Sequence, residues 1–522
     1  MTDRGPDDDR RSFASRTPAN DNPDKVEYRR GFVTRHQVTG WRFVMRRIAS
    51  GVALHDTRMF VDPLRTQSRA ILMGVLIVVT GLAGCFVFSL IRPNSSVGNN
   101  AVLTDRSSAA LYVRIGDQLH PVLNLTSARL IVGQPVNPTT VRSNQLDKFP
   151  RGNLLGIPGA PERMVQNTAK DANWTVCDAV SGSATGATVI GGPLDNSGAR
   201  AAALRQGHAV LVNNGSGAWL LWNGRRSRID LADRPVTGAL GLGVDIPAPR
   251  PITAGLFNAV PESPPLTVPP IPEAGSPPRF ALPVAAPVGA VLMAHATDGG
   301  VLYYAVLPDG LQPVSPVLAA MLRNANSYGL DQPPRVSADQ VAKLPVSRML
   351  DTARYPDQQV TLVDNAGAPV TCAYWSKPAG ASISSLTLLS GSALPVSDAV
   401  HPVELVGGGT DGTASRVALT PGSGYFVRTV GNDAAAPPAG SLFWVADTGV
   451  RYGIDQEEGP TGHAKTVEAL GLSSPPDPIP WSMLSLFVPG PTLSRADALL
   501  AHDSLAPDSR HTRPVAGMQG NR

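Results

Sequence analysis

Residues 70–91, AILMGVLIVVTGLAGCFVFSLI, carry no charge and lie between Arg69 and the pair Arg92 and Pro93. At about 1.5 Å per residue, a helix of this length crosses the ~30 Å hydrocarbon layer of a bilayer with length to spare for tilt. The segment therefore reads as one transmembrane helix, because a buried helix of a soluble core seldom lacks a polar face over such a length. It starts too deep in the chain for an ordinary cleaved signal and no A-x-A site follows, so it is expected to stay as an anchor. Ala70, Gly74 and Gly81 recur at spacings of four and seven. They form either a face that a second helix approaches closely or an instance of the glycine common in membrane helices.

Charge sets the expected orientation. Residues 1–69 hold 14 Lys and Arg against 9 Asp and Glu, whereas residues 92–522 hold 31 against 32. Cytoplasmic flanks are rich in Lys and Arg, so the expected topology is an inner-membrane, single-pass chain with its amino terminus cytoplasmic and its carboxy-terminal bulk exterior, that is periplasmic. The overall net charge of +4 averages a basic arm with a near-neutral body. No basic stripe interleaved with aromatics appears, so nucleic acid is not an expected partner.

Residues 1–33 form an arm whose first 24 positions are charged and nearly devoid of apolar side chains, and it is expected to be disordered. Thr34 and Gln37 have capping-box spacing. Beyond them Val38, Trp41, Met45, Ile48 and Val52 recur at intervals of three and four, one apolar stripe along a helix, with Arg42, Arg46 and Arg47 off it. Such a basic amphipathic helix, with its linker occupying 34–69, either lies on anionic lipid or docks its stripe on a partner. Asp62 and Pro63 read as the start of the helix that enters the membrane, and Pro93 and Asn94 as its end.

The remainder is internally doubled. Tyr112, Asp117, Leu119, Pro121, Val122, Ala128 and Leu130 match Tyr304, Asp309, Leu311, Pro313, Val314, Ala320 and Leu322 at an offset of 192. Gln145, Lys148, Pro150, Pro161 and Cys177 match Gln340, Lys343, Pro345, Pro356 and Cys372 at 195. Trp219, Gly224, Arg226, Ile229 and Asp230 match Trp444, Gly449, Arg451, Ile454 and Asp455 at 225, and Leu256 and Phe257 match Leu486 and Phe487 at 230. Hairpin signals near residues 111, 219, 303 and 443 are each followed by a helix-compatible stretch, such as 316–323 or 467–470. Units this small cannot bury an apolar face alone, so they are expected to pack together.

The expected fold is α+β: a cytosolic amphipathic helix, one transmembrane helix at 70–91, and a large β-rich exterior domain of four repeats around a central core with pseudo-two-fold internal duplication. The first half takes 92–266 and the second 296–493. Residues 247–288 contain 13 Pro, which excludes helix interiors and central strands, so 267–295 is expected to be an extended connector. Residues 494–505 read as a terminal helix and 506–522 as a loose tail.

Of three cysteines, Cys85 lies in the span. Cys177 and Cys372, the two outside, hold equivalent places and are expected to form a disulfide between the halves; by loop entropy such a long closure contributes about 4 to 5 kcal/mol. No His or second Cys at ligand spacing accompanies them, so no metal site is expected. Catalytic motifs are absent: there is no H-E-x-x-H, residues 380–384 (GASIS) lack the last glycine of G-x-S-x-G, and residues 459–466 (GPTGHAKT) have Ala464 where a Walker A loop needs glycine. No catalytic residue and no cofactor are therefore assigned.

RRGFVTRHQVTGWRFVMRRI before the span resembles the EccB family of type VII (ESX) secretion systems. So do TDRSSAALYVRIGDQLHPVLNLTSARLIVG and FPRGNLLGIPGAPERM after it, and VTCAYW and IPWSMLSLFVPGPTLSRADALL further on. The similarity runs along nearly the whole chain and is closest to the paralogue of the system linked to siderophore-dependent iron and zinc homeostasis. It implies a structural membrane subunit assembled with the motor ATPase EccC and with EccD and EccE, and self-association through an exterior domain disulfide-linked at cysteines matching Cys177 and Cys372. It also implies that the helix in 34–60 docks on cytosolic protein, which favours Val38, Trp41, Met45, Ile48 and Val52 as a partner surface over a lipid one. Family members are described as ATPases, so ATP hydrolysis, with ATP as the only candidate ligand, is an alternative. A cell-wall-binding ectodomain is a further one.

Overall fold

A computed structural model describes residues 34–55, 63–91, 97–181, 185–296, 299–409, 412–456, 465–473 and 475–505. The arm at 1–33, the Asp62 cap, the Pro93-Asn94 stop, most of the 459–466 loop and the 506–522 tail lie outside the described residues. The chain divides into two compact units, Met1–Asn94 and Ser95–Arg522.

The first unit holds two helices. Helix α1, Arg35–Leu54, starts at a capping box: Gln37 N–H donates to the Thr34 hydroxyl and Thr34 N–H donates to the Gln37 side chain. Helix α2, Pro63–Ile91, begins seven residues before the uncharged stretch. Within it Gln67–Phe88 is long and apolar enough to span a bilayer, with a mean hydropathy of 2.6, and no part of it is covered by protein.

At the middle of the second unit is a seven-stranded sheet. Its order is Val403–Glu404, Arg416–Ala418, Gly186–Gly191, Ala172–Ala179, Val370–Lys377, Ser385–Gly391 and Ala202–Ala203. Ala172–Ala179 is buried at every position but one, and its alternate side chains face different cores. Trp174 and Val176 join a large cluster with Trp375, Tyr425, Leu486 and Phe487. Cys177 and Ala179 join a smaller one with Ile190, Val370, Cys372 and Leu389. A strand covered on both faces loses the alternation that marks a half-exposed one.

Two further sheets share one plan. In the first, His208–Asn213, Ala218–Trp222 and Arg225–Ile229 run antiparallel, and Arg250–Pro251 and Glu262–Leu266 add in parallel on the two sides. In the second, Tyr425–Val430, Leu442–Val445 and Val450–Ile454 are flanked in the same way by Asp477–Pro480 and Val488–Pro489. The prolines of these flanking strands sit where a missing N–H costs no central ladder bond. Asn223 and Gly224 make the two-residue turn after Trp222 with φ of 42° and 72°, the left-handed pair that a tight hairpin of this length demands.

Cap chemistry explains the short helices. Leu125–Val132 opens on Asn124, whose side chain accepts from Ser127 N–H, and closes on Gly133 at φ 77°. Pro316–Ala325 opens on Ser315 with proline in its first turn, and Arg234–Ala239 opens likewise on Asp233. These helices bury their apolar sides in cores that cross the sequence midpoint. Val113, Ala128 and Leu130 pack with Trp444, Ile454, Val467 and Leu470. Leu211, Leu220, Val236 and Leu240 pack with Ala305, Val317, Leu318 and Met321. Segments around residues 102–131 thus close on segments around 426–472, and segments around 209–242 on segments around 291–322.

Two boundaries differ from the sequence reading. The connector to 295 ends earlier, since Val291–His295 is a strand paired in register with Val301–Ala305; the proline density that marked the linker has run out there. The terminal segment 494–505 is helical only over Arg495–Ala498, and Ala501–His502 then pairs with Leu154–Leu155. A single capped turn is marginal, and His502 gains a ring-nitrogen hydrogen bond with the Gly156 carbonyl at 2.8 Å by leaving it.

Cys177 stands directly opposite Cys372 in the central ladder and is bonded to it across a separation of 195 residues. Replacing both cysteines by alanine is expected to cost about 5 kcal/mol by loop entropy. Thermal melts of the double variant and of the reduced parent should drop together. A melt unchanged by reduction would contradict this.

Candidate anchoring and docking sites

On α1, no residue is buried. Val38, Trp41, Met45, Ile48 and Val52 fall within roughly 80° of the helix circumference at 100° per residue, and Trp41 is 64% and Val52 74% exposed. Five large apolar side chains on one side of an uncovered helix form a ridge suited to a groove in another protein or to a membrane surface. Arg42 borders it, and Arg46 and Arg47 point away from it on opposite sides.

On α2, Ala70, Gly74 and Gly81 fall within about 40° of one another by the same count. A Cβ added at Gly74 or Gly81 would meet nothing within 4 Å. A smooth strip therefore exists for close helix approach. Thr80 donates its hydroxyl to Leu76 O, which satisfies within the helix the polar group in its apolar middle. Cys85 is a free thiol on the same helix.

In the larger unit two buried charged side chains that sequence reading missed lie beside the central crosslink. Arg250 is 4% exposed and Asp178 5%. The guanidinium donates to Ala368 O at 2.9 Å and Pro369 O at 3.3 Å and to the Thr371 hydroxyl, while the Asp178 carboxylate accepts from Thr253 N–H. Burial lowers the Arg250 pKa and the Asp178 charge opposes that shift. The arginine, from a strand of the first half, thereby caps carbonyls that lead into Val370–Lys377 of the second. The only signal in the sequence was a lone arginine within a run of prolines.

Two other carboxylates are perturbed in opposite directions. Asp105 accepts from Ser107 N–H and from the hydroxyls of Ser107, Ser108 and Ser143, and these bonds, led by the Ser107 backbone, hold its pKa down at about 2. Asp477, on the flanking strand beside Val427, is pushed up to about 6 by burial. The described residues contain no group of three or more His, Cys, Asp or Glu arranged to hold a metal ion. Lys465 begins the helix Lys465–Leu470, and most of the preceding loop lies outside the described residues.

Comparison with known proteins gives a consistent answer. The profile of the family described as "Type VII secretion system ESX-1, transport TM domain B" matches residues 30–507. The chain is similar to a Mycobacterium tuberculosis protein named "ESX-3 secretion system ATPase EccB3", 71% identical over 99% of this chain and 98% of the relative. Its similarity to the Mycolicibacterium smegmatis protein of the same name is 65% over 98% of each. Among solved structures it is similar to one described as "Structure of EccB3 dimer from the ESX-3 core complex", with 60% identity, TM-score 0.69, and coverage of 77% of this chain and 100% of that one. It is also similar to a chain of "Structure of an intact ESX-5 inner membrane complex, Composite C3 model", with 37% identity, TM-score 0.72, and coverage of 94% and 99%.

The raised pKa of Asp477 has a signed consequence. The folded state keeps the proton that the unfolded chain releases near pH 4, so stability falls as pH rises from about 4 to about 6 and is level above. Asp477→Asn should lose this slope, so that melts of parent and variant coincide near pH 4 and diverge by pH 7 with the variant more stable. Parallel curves would show that the carboxyl is not desolvated.

Proposed function

Since the chain belongs to the EccB family of ESX type VII secretion systems and is a membrane subunit of that kind of complex, we propose that it links a cytosolic motor assembly to an exterior, dimerising scaffold. The observation that carries this reading is the pairing of one uncovered apolar helix with one uncovered apolar ridge, α2 and α1, on a chain whose other unit is large and self-sufficient. Under this reading α1 lies in the cytoplasm and docks through Val38, Trp41, Met45, Ile48 and Val52 on the motor ATPase EccC or on EccD and EccE. Helix α2 anchors the chain and packs through Ala70, Gly74 and Gly81. The unit from 97 onward projects into the periplasm and meets a second copy. The basic flank of α2 supports the orientation, and the description of an EccB3 structure as a dimer supports the self-association.

The finer division of the ectodomain into two duplicated halves of two repeats, 92–266 and 296–493, belongs to the same proposal. It is supported by the similar five-strand plan within the two flanked sheets, to the first of which Thr361–Leu362 also adds, and by the recurrence of a three-stranded antiparallel hairpin set, Val102–Pro121 and Val291–Val314, before a capped helix in each half. We also propose service in siderophore-mediated iron acquisition, supported by high identity to ESX-3 relatives.

A second reading, ATP hydrolysis, is favoured by the word ATPase in the names of those relatives. The two readings separate cleanly. Turnover of ATP by the purified chain, lost on Lys465→Ala, would favour the second. Tagged chain extracted from membranes in detergent should bring down the motor ATPase and its companions. Trp41→Asp and Ile48→Asp, which set a carboxylate into the ridge, should weaken that recovery at least about tenfold, since burying one such apolar side chain is worth 1.5 kcal/mol or more, while self-association persists. Undiminished recovery with both variants would refute docking through α1.

A further inference from the structure

Helix α1 carries a second surface feature beside its apolar ridge. Arg35, Arg42 and Arg46 are exposed and fall within about 40° of one another at 100° per residue, in a line roughly 16 Å long that runs along the helix axis. The centre of this line lies about 100° round the helix from the centre of the ridge, on the side that Arg42 borders. One side of α1 is thus apolar and the adjacent side cationic. The cationic side has no counter-charge of its own, because Arg35–Leu54 contains no Asp or Glu. Arg42 and Arg46 are neighbours four residues apart, and like charges at that spacing destabilise a helix until an external anion neutralises them.

The chain itself fixes which anion is nearest. Leu54 ends α1 and Pro63 begins α2 nine positions later, a gap that even a fully extended chain spans in no more than about 32 Å. The apolar span begins at Gln67, one turn into α2. The end of α1 is therefore held within about a helix length of a bilayer surface, and tethering at such a distance raises the local concentration of headgroups above that of any freely diffusing anion. Residues 55–69 hold Arg58, Arg65 and Arg69 against Asp56 and Asp62, so the tether does not neutralise the helix. The three arginines leave α1 in the same direction at intervals of about 10 and 6 Å. Side chains that converge would enclose one phosphate, whereas side chains in parallel match a plane of them.

We propose that Arg35, Arg42 and Arg46 bind the phosphate groups of anionic phospholipids at the membrane surface from which α2 emerges, so that α1 lies flat on the headgroups with its apolar ridge turned sideways toward the protein that docks on it. The proposal deepens the membrane-subunit reading and rests on α2 spanning the bilayer, not on which protein meets the ridge. A guanidinium presents a fork of N–H donors to phosphate oxygens. Each arginine beside an anionic surface strengthens attachment about fivefold, and the three together about a hundredfold at moderate salt.

The test uses the full chain reconstituted in nanodiscs of phosphatidylcholine alone or with about 30% phosphatidylglycerol. A bimane attached through Ala53→Cys in a Cys85→Ser background is the reporter. Position 53 is exposed and continues the line of the three arginines, and Cys177 and Cys372 are bonded to each other. Lipid carrying a nitroxide on its headgroup quenches the bimane on close approach. Quenching should at least double when phosphatidylglycerol is present, and the gain should vanish at about 1 M salt, where the screening length falls to ~3 Å. Arg35→Gln, Arg42→Gln and Arg46→Gln together should abolish the gain, the corresponding three lysine substitutions should keep most of it, and Arg47→Gln should leave it whole. Chain that does not enter the discs would refute the spanning reading and this proposal with it. Chain that enters but is quenched equally in both discs, or whose gain survives the triple glutamine substitution, would overturn the headgroup contact alone. If the triple glutamine variant also recovers fewer companions from native membranes while the discs show no gain, the arginines serve an acidic protein surface instead.

Discussion

Everything in the larger unit depends on the antiparallel pairing of Ala172–Ala179 with Val370–Lys377. In this ladder each residue and its partner have numbers that sum to 549, as Cys177 with Cys372 and Trp174 with Trp375 show. Around the cysteines, residues matched between the two stretches of sequence differ by 195. Only one position satisfies both conditions, and it is the cysteine pair. The disulfide therefore lies where a pseudo-two-fold axis relating the halves would cross the sheet. A one-residue slip would turn Trp174 and Val176 out of the large cluster and into the smaller one, so side-chain volume and the covalent bond enforce the same register.

From that ladder the cores follow. Each half carries strands outward from the centre to either side, and neither can cover them alone. The cores join segments from early and late in the chain, so the apolar faces of short hairpins and short helices are buried only when both are present. Arg250 extends the same dependence to polar groups, because its guanidinium, from one half, caps carbonyls of the other.

What could be read from the chain alone was local. The Thr34 box, the hairpin signal near residue 219 and the helix-compatible stretch 316–323 each rest on chemistry contained in a few consecutive residues, and the structure has them. The 195-residue offset at the cysteines was legible because the residues around each of them match at that spacing within one sequence. Illegible were features set by which segments meet: the crossing of cores between early and late segments, the late strand Ala501–His502 and the burial of Arg250 and Asp178. Val291–His295 was missed for a simpler reason. A five-residue strand beside a proline run has too few positions to assert a period of its own.

The central pairing also fixes an order of events during synthesis. Ala172–Ala179 is made 195 residues before the cysteine that bonds to it has even been added, which at ribosomal speed is roughly 10 to 40 s. Throughout that interval the first half has an apolar strand with one bare side and a reactive thiol. A message cut short between the halves thus yields a sticky fragment instead of a smaller folded domain, and the nascent first half depends on being shielded until its sibling arrives.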